Sequence, residues 1–420
     1  MNAQSVLTVF LGFYLAETFC SFLLSFLNTR YAWQHRDQPP EYYKNLISQE
    51  QYQKHLEYTF TKARFSRCSQ VFSLIVFLTF LKYGGFGFFD QLARSYTQNP
   101  YFQGLLFIYA ISAFFSILDI PFILYSIFVI EEKFGFNKMT LKLYLLDSLK
   151  GIVLGLLLST PLLCLLFWFM EKTGSVWWLY ALAVLLGFQL ILLFIFPIFL
   201  APLFNKFTPL EPGSLKEKIE ALAQKLNFQN SGIFVMDGSK RSGHGNAYFT
   251  GFGRSKRIVL YDTLLKSLNE DQVVGVLAHE IGHNKLNHIR TSFLVSSLFM
   301  TASLYLLSLL LPYSPFYEAF GIQTPSYAAA LLLFGLCSGP FTFLLTPLFS
   351  ALTRKHEYEA DAFAFKNTGD SNALTQSLLV LDKDNLSNLW PHPWFSFFYY
   401  SHPTTSERIQ AIQTHPQNPS

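Results

Sequence analysis

Val276-Leu277-Ala278-His279-Glu280-Ile281-Gly282-His283 sets two histidines four residues apart, with a glutamate directly after the first. On an α-helix, positions i and i+4 project from one face one turn apart, so both imidazoles can share a single Zn²⁺ while Glu280 lies beside the metal's open position. The pattern fixes only three positions, and its surroundings give it weight. Val273, Val274, Val276 and Leu277 supply an apolar side for such a helix, and Asn269, Glu270 and Asp271 precede it as an N-terminal turn. Gly282 leaves room for a second element to approach closely. A catalytic zinc takes three protein ligands plus a water and brings that water's pKa from about 15.7 to about 7. Glu280 is placed to accept the water's proton and pass it to a leaving amine. The expectation is a zinc hydrolase with one Zn²⁺ per chain.

A third ligand has to come from elsewhere. His288 follows His283 by five residues, which on a continuous helix rotates it by about 140°, and the spacing HExxHxxGxxH is not met. The better candidate is Glu357 in His356-Glu357-Tyr358-Glu359-Ala360-Asp361-Ala362-Phe363-Ala364. Glu357 and Asp361 are i and i+4, so one carboxylate can reach the metal while the other receives a ligand histidine's free N–H. The spacing therefore predicts a site of His279, His283 and Glu357.

The rest of the chain is too apolar for an ordinary soluble protein, with 51% hydrophobic and 14% charged residues and a mean hydropathy of +0.28. It reads as an α-helical multi-pass membrane protein. Cys20, Cys68, Cys164 and Cys337 are widely spaced, three of them in apolar runs, so neither a disulfide framework nor a thiolate metal site is indicated. Seven apolar runs can cross a hydrocarbon core of about 30 Å, over residues 3–27, 71–89, 104–130, 149–170, 176–200, 292–311 and 327–352. The first has no basic n-region and no small-residue cleavage site, which marks a retained helix. Basic residues cluster after the first span (Arg30 to Arg67) and after the third (Lys133, Lys138, Lys142 and Lys150). The opposite loops carry only Arg94, only Lys172, or neither. The positive-inside rule then puts the N-terminus outside and the zinc helix on the cytoplasmic side. Loops facing anionic headgroups account for the net charge of +4, which implies a lipid bilayer as partner and no nucleic acid. Pro121, Pro161, Pro197, Pro340 and Pro347 interrupt spans, and Asp119 and Gln189 lie within them, as in a bundle curving round a water-filled space.

Between the fifth and sixth spans lies the longest soluble stretch, residues 201–290. A helix is expected over 214–226 and strands over 233–236, 247–252 and 257–261, the last two joined by the turn Gly253-Arg254-Ser255-Lys256. A hairpin so close to the zinc helix offers an edge to which a substrate backbone can add as a strand, with Asn246-Ala247-Tyr248 the suitable place. The chain thus divides into membrane helices over 1–200, a small cytoplasmic α/β zinc-protease region over 201–290, two further spans over 291–352 and a helical C-terminal region over 353–420.

Taken together, the segments 125–141 (YSIFVIEEKFGFNKMTL), 201–210 (APLFNKFTPL), 243–265 (GHGNAYFTGFGRSKRIVLYDTLL), 279–288 (HEIGHNKLNH), 357–364 (EYEADAFA) and 401–409 (SHPTTSERI) are far more specific than HExxH alone. The chain resembles the type I CAAX prenyl endopeptidase family, integral-membrane zinc proteases that include the enzymes processing farnesylated a-factor and prelamin A. The resemblance implies seven helices round a large intramembrane chamber, zinc on His279, His283 and Glu357, and Glu280 as base. It also implies His402 as the group that stabilises the oxyanion, Asn246 as a grip on the substrate backbone, Asp361 behind a zinc histidine, and Arg408 tying the C-terminal helix to the site. The partners implied are peptide or protein substrates, including lipidated ones. This chain departs from the family at Glu359, where a neutral residue is usual, which puts a second carboxylate near the metal. A compact chain, a short uncharged loop before the seventh span and no dilysine-type signal over 413–420 favour a bacterial inner membrane over the endoplasmic reticulum. In that setting the alternative reading is a quality-control protease with non-prenylated substrates.

Overall fold

The computed structural model describes residues 1–250, 256–369 and 371–414. Among them are seven helices long and apolar enough to cross a membrane: Ala3–Gln34, Gln49–Lys82, Pro100–Phe134, Leu141–Lys172, Gly174–Leu203, His288–Leu310 and Tyr327–Thr368. Local sequence sets their starts. The side chains of Asn2, Ser48, Asn99, Thr140 and Ser326 each accept from a backbone N–H of the first turn, and Ser48 and Gln51 close a capping box. Pro121 is followed by a π-helical turn over Ser126–Glu131, and Pro197 lies inside another over Phe196–Leu200. The five span prolines therefore sit within helices that bend without breaking.

The second span differs from the expected 71–89. Its helix starts at Gln49 and stops at Lys82, because Gly84 takes a left-handed φ of 68°, and Gly85–Tyr96 is a separate helix. A hydropathy sum runs through the Gly84-Gly85 break without registering it. Gly87 lets this short helix seat against the turn before the seventh span, since a Cβ there would lie 2.3 Å from the Gly321 carbonyl oxygen.

Tight packing is concentrated at one end of the bundle. Phe10, Phe77, Phe107, Phe167, Trp177, Leu307 and Ala329 form one buried cluster, and each comes from the end of its span remote from the HExxH helix. Only 33% of the most apolar stretch of the seventh helix is buried, and 17% or less of every other. The interior is polar where the first three spans face one another, with Glu17, Ser21, Lys62, Ser69 and Gln70 lining a cavity of about 510 Å³. The seven spans are those expected from the resemblance.

The protease region caps the other end. A four-stranded sheet runs β1-β2-β4-β3, with β1 Phe207–Pro209, β2 Ile233–Met236, β3 Ala247–Thr250 and β4 Arg257–Tyr261. β3 pairs antiparallel with β4 from Ala247↔Leu260 to Thr250↔Arg257, whereas β2 and β4 run parallel. The hairpin is thus formed, and the expected turn residues Gly253, Arg254 and Ser255 lie outside the described residues. Ile258, Val259 and Leu260 of the inner strand are almost wholly buried, while β3 keeps a free edge. Ser214–Lys225 and Glu270–Lys285 pack on the sheet through Ile219, Leu222, Val273, Leu277 and Ile281.

Candidate metal centre

The HExxH segment is helical as its capping chemistry dictates. Asn269 accepts from the Gln272 N–H, the Gln272 side chain accepts from the Asn269 N–H, and Glu270 and Asp271 occupy the positive end of the helix. Leu277, Ala278 and Ile281 are fully buried, which fixes the helix rotation and presents His279 and His283 together. Tyr327–Thr368 carries the seventh span and continues unbroken through Glu357 and Asp361. The two helices meet at Gly282, where an added Cβ would lie 3.2 Å from the Ala360 Cα and 3.1 Å from the Phe363 ring. The close approach expected of Gly282 brings Glu357 to the histidines.

His279 Nε2 and His283 Nε2 stand 3.1 Å apart. Glu357 Oε2 is 3.3 Å from the first, and its Oε1 is 3.2 Å from the second. Four ligands at about 2.0–2.1 Å from a tetrahedral ion are about 3.3–3.4 Å from one another, and in the triangle of His279, His283 and Glu357 the two imidazole nitrogens, and each of them with one Glu357 oxygen, are spaced close to that. The proton arrangement agrees. His279 Nδ1 donates to Asp361 Oδ1 at 2.7 Å, which leaves the Nε2 lone pair facing the triangle. The Glu357 carboxylate is 7% exposed, and its Oε2 has no hydrogen-bond donor. Two imidazole lone pairs and an orphaned buried carboxylate oxygen converging on one point suit a divalent cation. Without a metal, burial works against a charged His279, but the carboxylates of Asp361 and Glu357 outweigh this and raise its pKa to about 9, so a second proton occupies Nε2 until a cation displaces it.

Glu280 lines a cavity of about 890 Å³ with His283, Glu357, Tyr248 and Phe249, and apolar side chains from the fifth and sixth spans complete its wall. Burial pushes the Glu280 carboxyl up, against the pull of His279 and His283. His402 reaches the centre from the other side. Its Nε2 is 3.4 Å from Glu357 Oε1, and Ser401 Oγ is 2.9 Å from its Nδ1. The ring faces open space with 63% of the side chain accessible, yet protein surrounds it on its remaining sides and lowers its pKa, keeping the imidazole neutral. Arg408, 7% exposed, donates from Nε to Asp361 Oδ2 at 2.7 Å and from Nη2 to Oδ1 at 2.6 Å. It joins the C-terminal helix Thr405–Thr414 to the carboxylate that orients His279.

The three residues expected to grip substrate are placed differently from one another. Tyr248 lines the cavity, Ala247 turns its methyl into the core, and the exposed Asn246 accepts from the Ala247 N–H through Oδ1. His288 is nearer the centre than the sequence indicated, and Glu359, expected beside the metal, is held away from it by His288. The HExxH helix ends at Lys285, and Asn287 adopts a left-handed φ of 61°, so His288 opens a new helix and folds back to put its Nδ1 3.0 Å from His283 Nδ1. The 140° rotation assumed an unbroken helix and does not hold. His288 still does not enter the ligand triangle, and Glu359 contacts His288, with Oε2 3.0 Å from Nε2, on the far side from the metal ligands. The sequence signal was Asn287, a residue suited to a left-handed turn.

Two family profiles divide the chain between them. Residues 28–206 match the one described as CAAX prenyl protease N-terminal, five membrane helices, and residues 209–415 match peptidase family M48. The CAAX prenyl protease 1 of Saccharomyces cerevisiae is 38% identical over 399 residues, 89% of this chain and 88% of the yeast protein. A CAAX prenyl protease 1 homolog of Oryza sativa is 36% identical over 414 residues, 95% of this chain and 97% of its own. The crystal structure of S. mikatae Ste24p superposes with a TM-score of 0.92 at 35% identity, covering 97% of this chain and 99% of that one.

Proposed function

This chain belongs to peptidase family M48, among the membrane-embedded zinc metalloproteases of the CAAX prenyl protease 1 type, and from that premise we propose that it cleaves C-terminal peptides from prenylated CAAX substrates. One Zn²⁺ per chain is held by His279, His283 and Glu357. The observation that carries this is that the two imidazole Nε2 atoms, 3.1 Å apart, each lie 3.2–3.3 Å from an oxygen of the buried Glu357 carboxylate, whose Oε2 accepts no hydrogen bond.

Bound there, zinc supplies Lewis acidity that makes a water nucleophilic near neutral pH. The chain's own residues do the rest. Glu280 stands in the same cavity without belonging to the triangle, so it is free to accept the proton of the attacking water and deliver it to the departing amine. As the carbonyl is attacked, charge grows on its oxygen, and His402 donates a hydrogen bond to it from Nε2. Ser401 Oγ–H, donating to Nδ1, holds that tautomer. Asp361, itself gripped by Arg408, keeps the His279 proton on Nδ1. The free edge of β3 aligns the substrate backbone, with Asn246, Ala247 and Tyr248 at its start and the Tyr248 ring on the cavity wall. The apolar wall suits a lipidated residue near the scissile bond.

The basic loops after the first and third spans support a cytoplasmic position for this end, an orientation common to a bacterial inner membrane and the endoplasmic reticulum. Residues 1–200 and 291–352 serve as scaffold, and 201–290 and 353–420 as chemistry. The test is cleavage by purified, zinc-loaded protein of a farnesylated CAAX peptide beside its unprenylated twin. The farnesylated peptide should be cut faster, and zinc should be lost from His279→Ala. Equal rates on both peptides would exclude the prenyl specificity, and full zinc in His279→Ala would exclude the ligand set.

A further inference from the structure

His279 has its outer nitrogen fixed directly by a carboxylate of the seventh helix. The second ligand histidine has no carboxylate at that distance. Its Nδ1 meets another histidine, His288, at 3.0 Å, and the Nε2 of His288 meets Glu359 at 3.0 Å. We propose that Glu359 and His288 form a hydrogen-bond relay that sets the tautomer of His283 and so holds its Nε2 lone pair towards the metal.

The direction of the relay follows from which atoms can donate. An ionised carboxylate only accepts, so the proton between Glu359 and His288 sits on His288 Nε2. A neutral imidazole carries one N–H, so His288 Nδ1 presents a lone pair. His283 must then supply the proton between the two Nδ1 atoms, and its Nε2 is left bare, 3.2 Å from Glu357 Oε1 and 3.1 Å from His279 Nε2. With the opposite polarity, a bare His288 Nε2 would face a carboxylate oxygen, and a proton on His283 Nε2 would occupy the ligand position.

The relay is also mechanically fixed. His288 is 5% exposed, and its ring lies 8° from parallel with that of His356 at 4.1 Å between centroids, so it cannot turn without losing that stack. His356 and Glu359 are i and i+3 on the helix that carries Glu357 and Asp361. Less than two turns of one helix therefore supply a metal ligand, the carboxylate behind one histidine and, through His288, the carboxylate behind the other. The same geometry excludes a second metal between His288, His356 and Glu359, although donor atoms of the three come within 4.8 Å of one another. Lone pairs of near-parallel stacked rings run side by side and do not converge on an ion.

The inference rests on His279, His283 and Glu357 being the zinc ligands, and the experiment separates the two. Zinc affinity is measured by chelator competition on the full chain in detergent, for wild type and for Glu359→Gln, Glu359→Leu and His288→Phe. Glutamine can still accept from His288 Nε2 and should keep affinity within about threefold. Leucine and phenylalanine remove the acceptor and should weaken zinc binding by about 10- to 100-fold. Glu359→Leu lies at a partly exposed position, its side chain 41% accessible, so its fold is secure even if His288→Phe fails to fold. Glu359→Leu binding zinc as tightly as wild type would overturn the relay, as would Glu359→Gln losing as much as Glu359→Leu. Wild type with two zinc ions per chain would also overturn it, whereas wild type with none would overturn the ligand set.

Discussion

Arg408 offers the sharpest test of how the C-terminal segment serves the metal centre. Its two hydrogen bonds to Asp361, at 2.7 and 2.6 Å, are buried and charge-assisted. Removing one partner of such a pair costs about 3–5 kcal/mol, because the other charge is left without compensation. The remaining buried anchors of the helix are Ile409 and Ile412, 0% and 2% exposed. Together they contribute about 3–6 kcal/mol by burial, well short of the roughly 10–20 kcal/mol that ordering the backbone of a ten-residue helix costs, so the helix depends on its polar anchor as well. In Arg408→Leu this helix should undock locally and take with it His402, six residues before Arg408. The largest rate loss available by that route is the contribution of His402 itself, about 10²- to 10³-fold for an oxyanion donor. Arg408→Leu and His402→Ala should therefore each lower kcat by roughly that factor with KM nearly unchanged, and the double variant should lose no more than about threefold beyond either alone. Zinc should remain in all three, since His279 still donates to Asp361. Losses that multiply in the double variant would refute the reasoning, as would an Arg408→Leu enzyme of nearly normal rate.

Three further outcomes are expected. Glu280→Ala should retain one zinc per chain and its fold while cleaving nothing measurable, and appreciable turnover would mean that another group activates the water. Because His279 is held protonated up to about 9 when no metal is bound, zinc binding must expel that proton; apparent affinity should climb about tenfold per pH unit up to about 9 and then level, and chelator competition that is already flat above pH 7 would contradict the assignment. Gly282→Val should destabilise the fold by about 1–3 kcal/mol and weaken zinc binding, because its side chain would push Ala360 and with it Glu357 away from His283; unchanged melting temperature and zinc content would show that the contact is not limiting.

The proposed ligand triad was legible because helical periodicity converts spacing into a shared face. His279 with His283, and Glu357 with Asp361, are each one turn apart, and the structure brings the two pairs together. The seven spans were legible because hydropathy needs no tertiary information, and the edge position of β3 followed from a hairpin beside the motif. What escaped depends on single dihedrals and distant partners. The left-handed Asn287 redirects the chain by one residue's φ, and that alone turns His288 from a rotated neighbour into a partner of His283. Gly84 splits a continuous apolar run in the same way. β1 is three residues long and pairs with β2 across 23 intervening positions, too little pattern to read in a window. His402 has only its neighbour Ser401 as a local partner, and its contact with Glu357 is made across 45 positions.

The helix Tyr327–Thr368 extends about 63 Å at 1.5 Å per residue, twice the thickness of a hydrocarbon core. Its first half is anchored in lipid, and its second half contributes Glu357 to histidines that belong to the soluble cap. An ion shared in this way is a rivet added to the close helix–helix contact at Gly282 and Ala360, so stripping it should loosen the cap and make its connections more open to added proteases. The catalytic machinery also cannot be released as a water-soluble fragment. Residues 201–290 alone would carry both histidines and the general base with no third ligand, and the peptide bond is cut only where chain and bilayer stay joined.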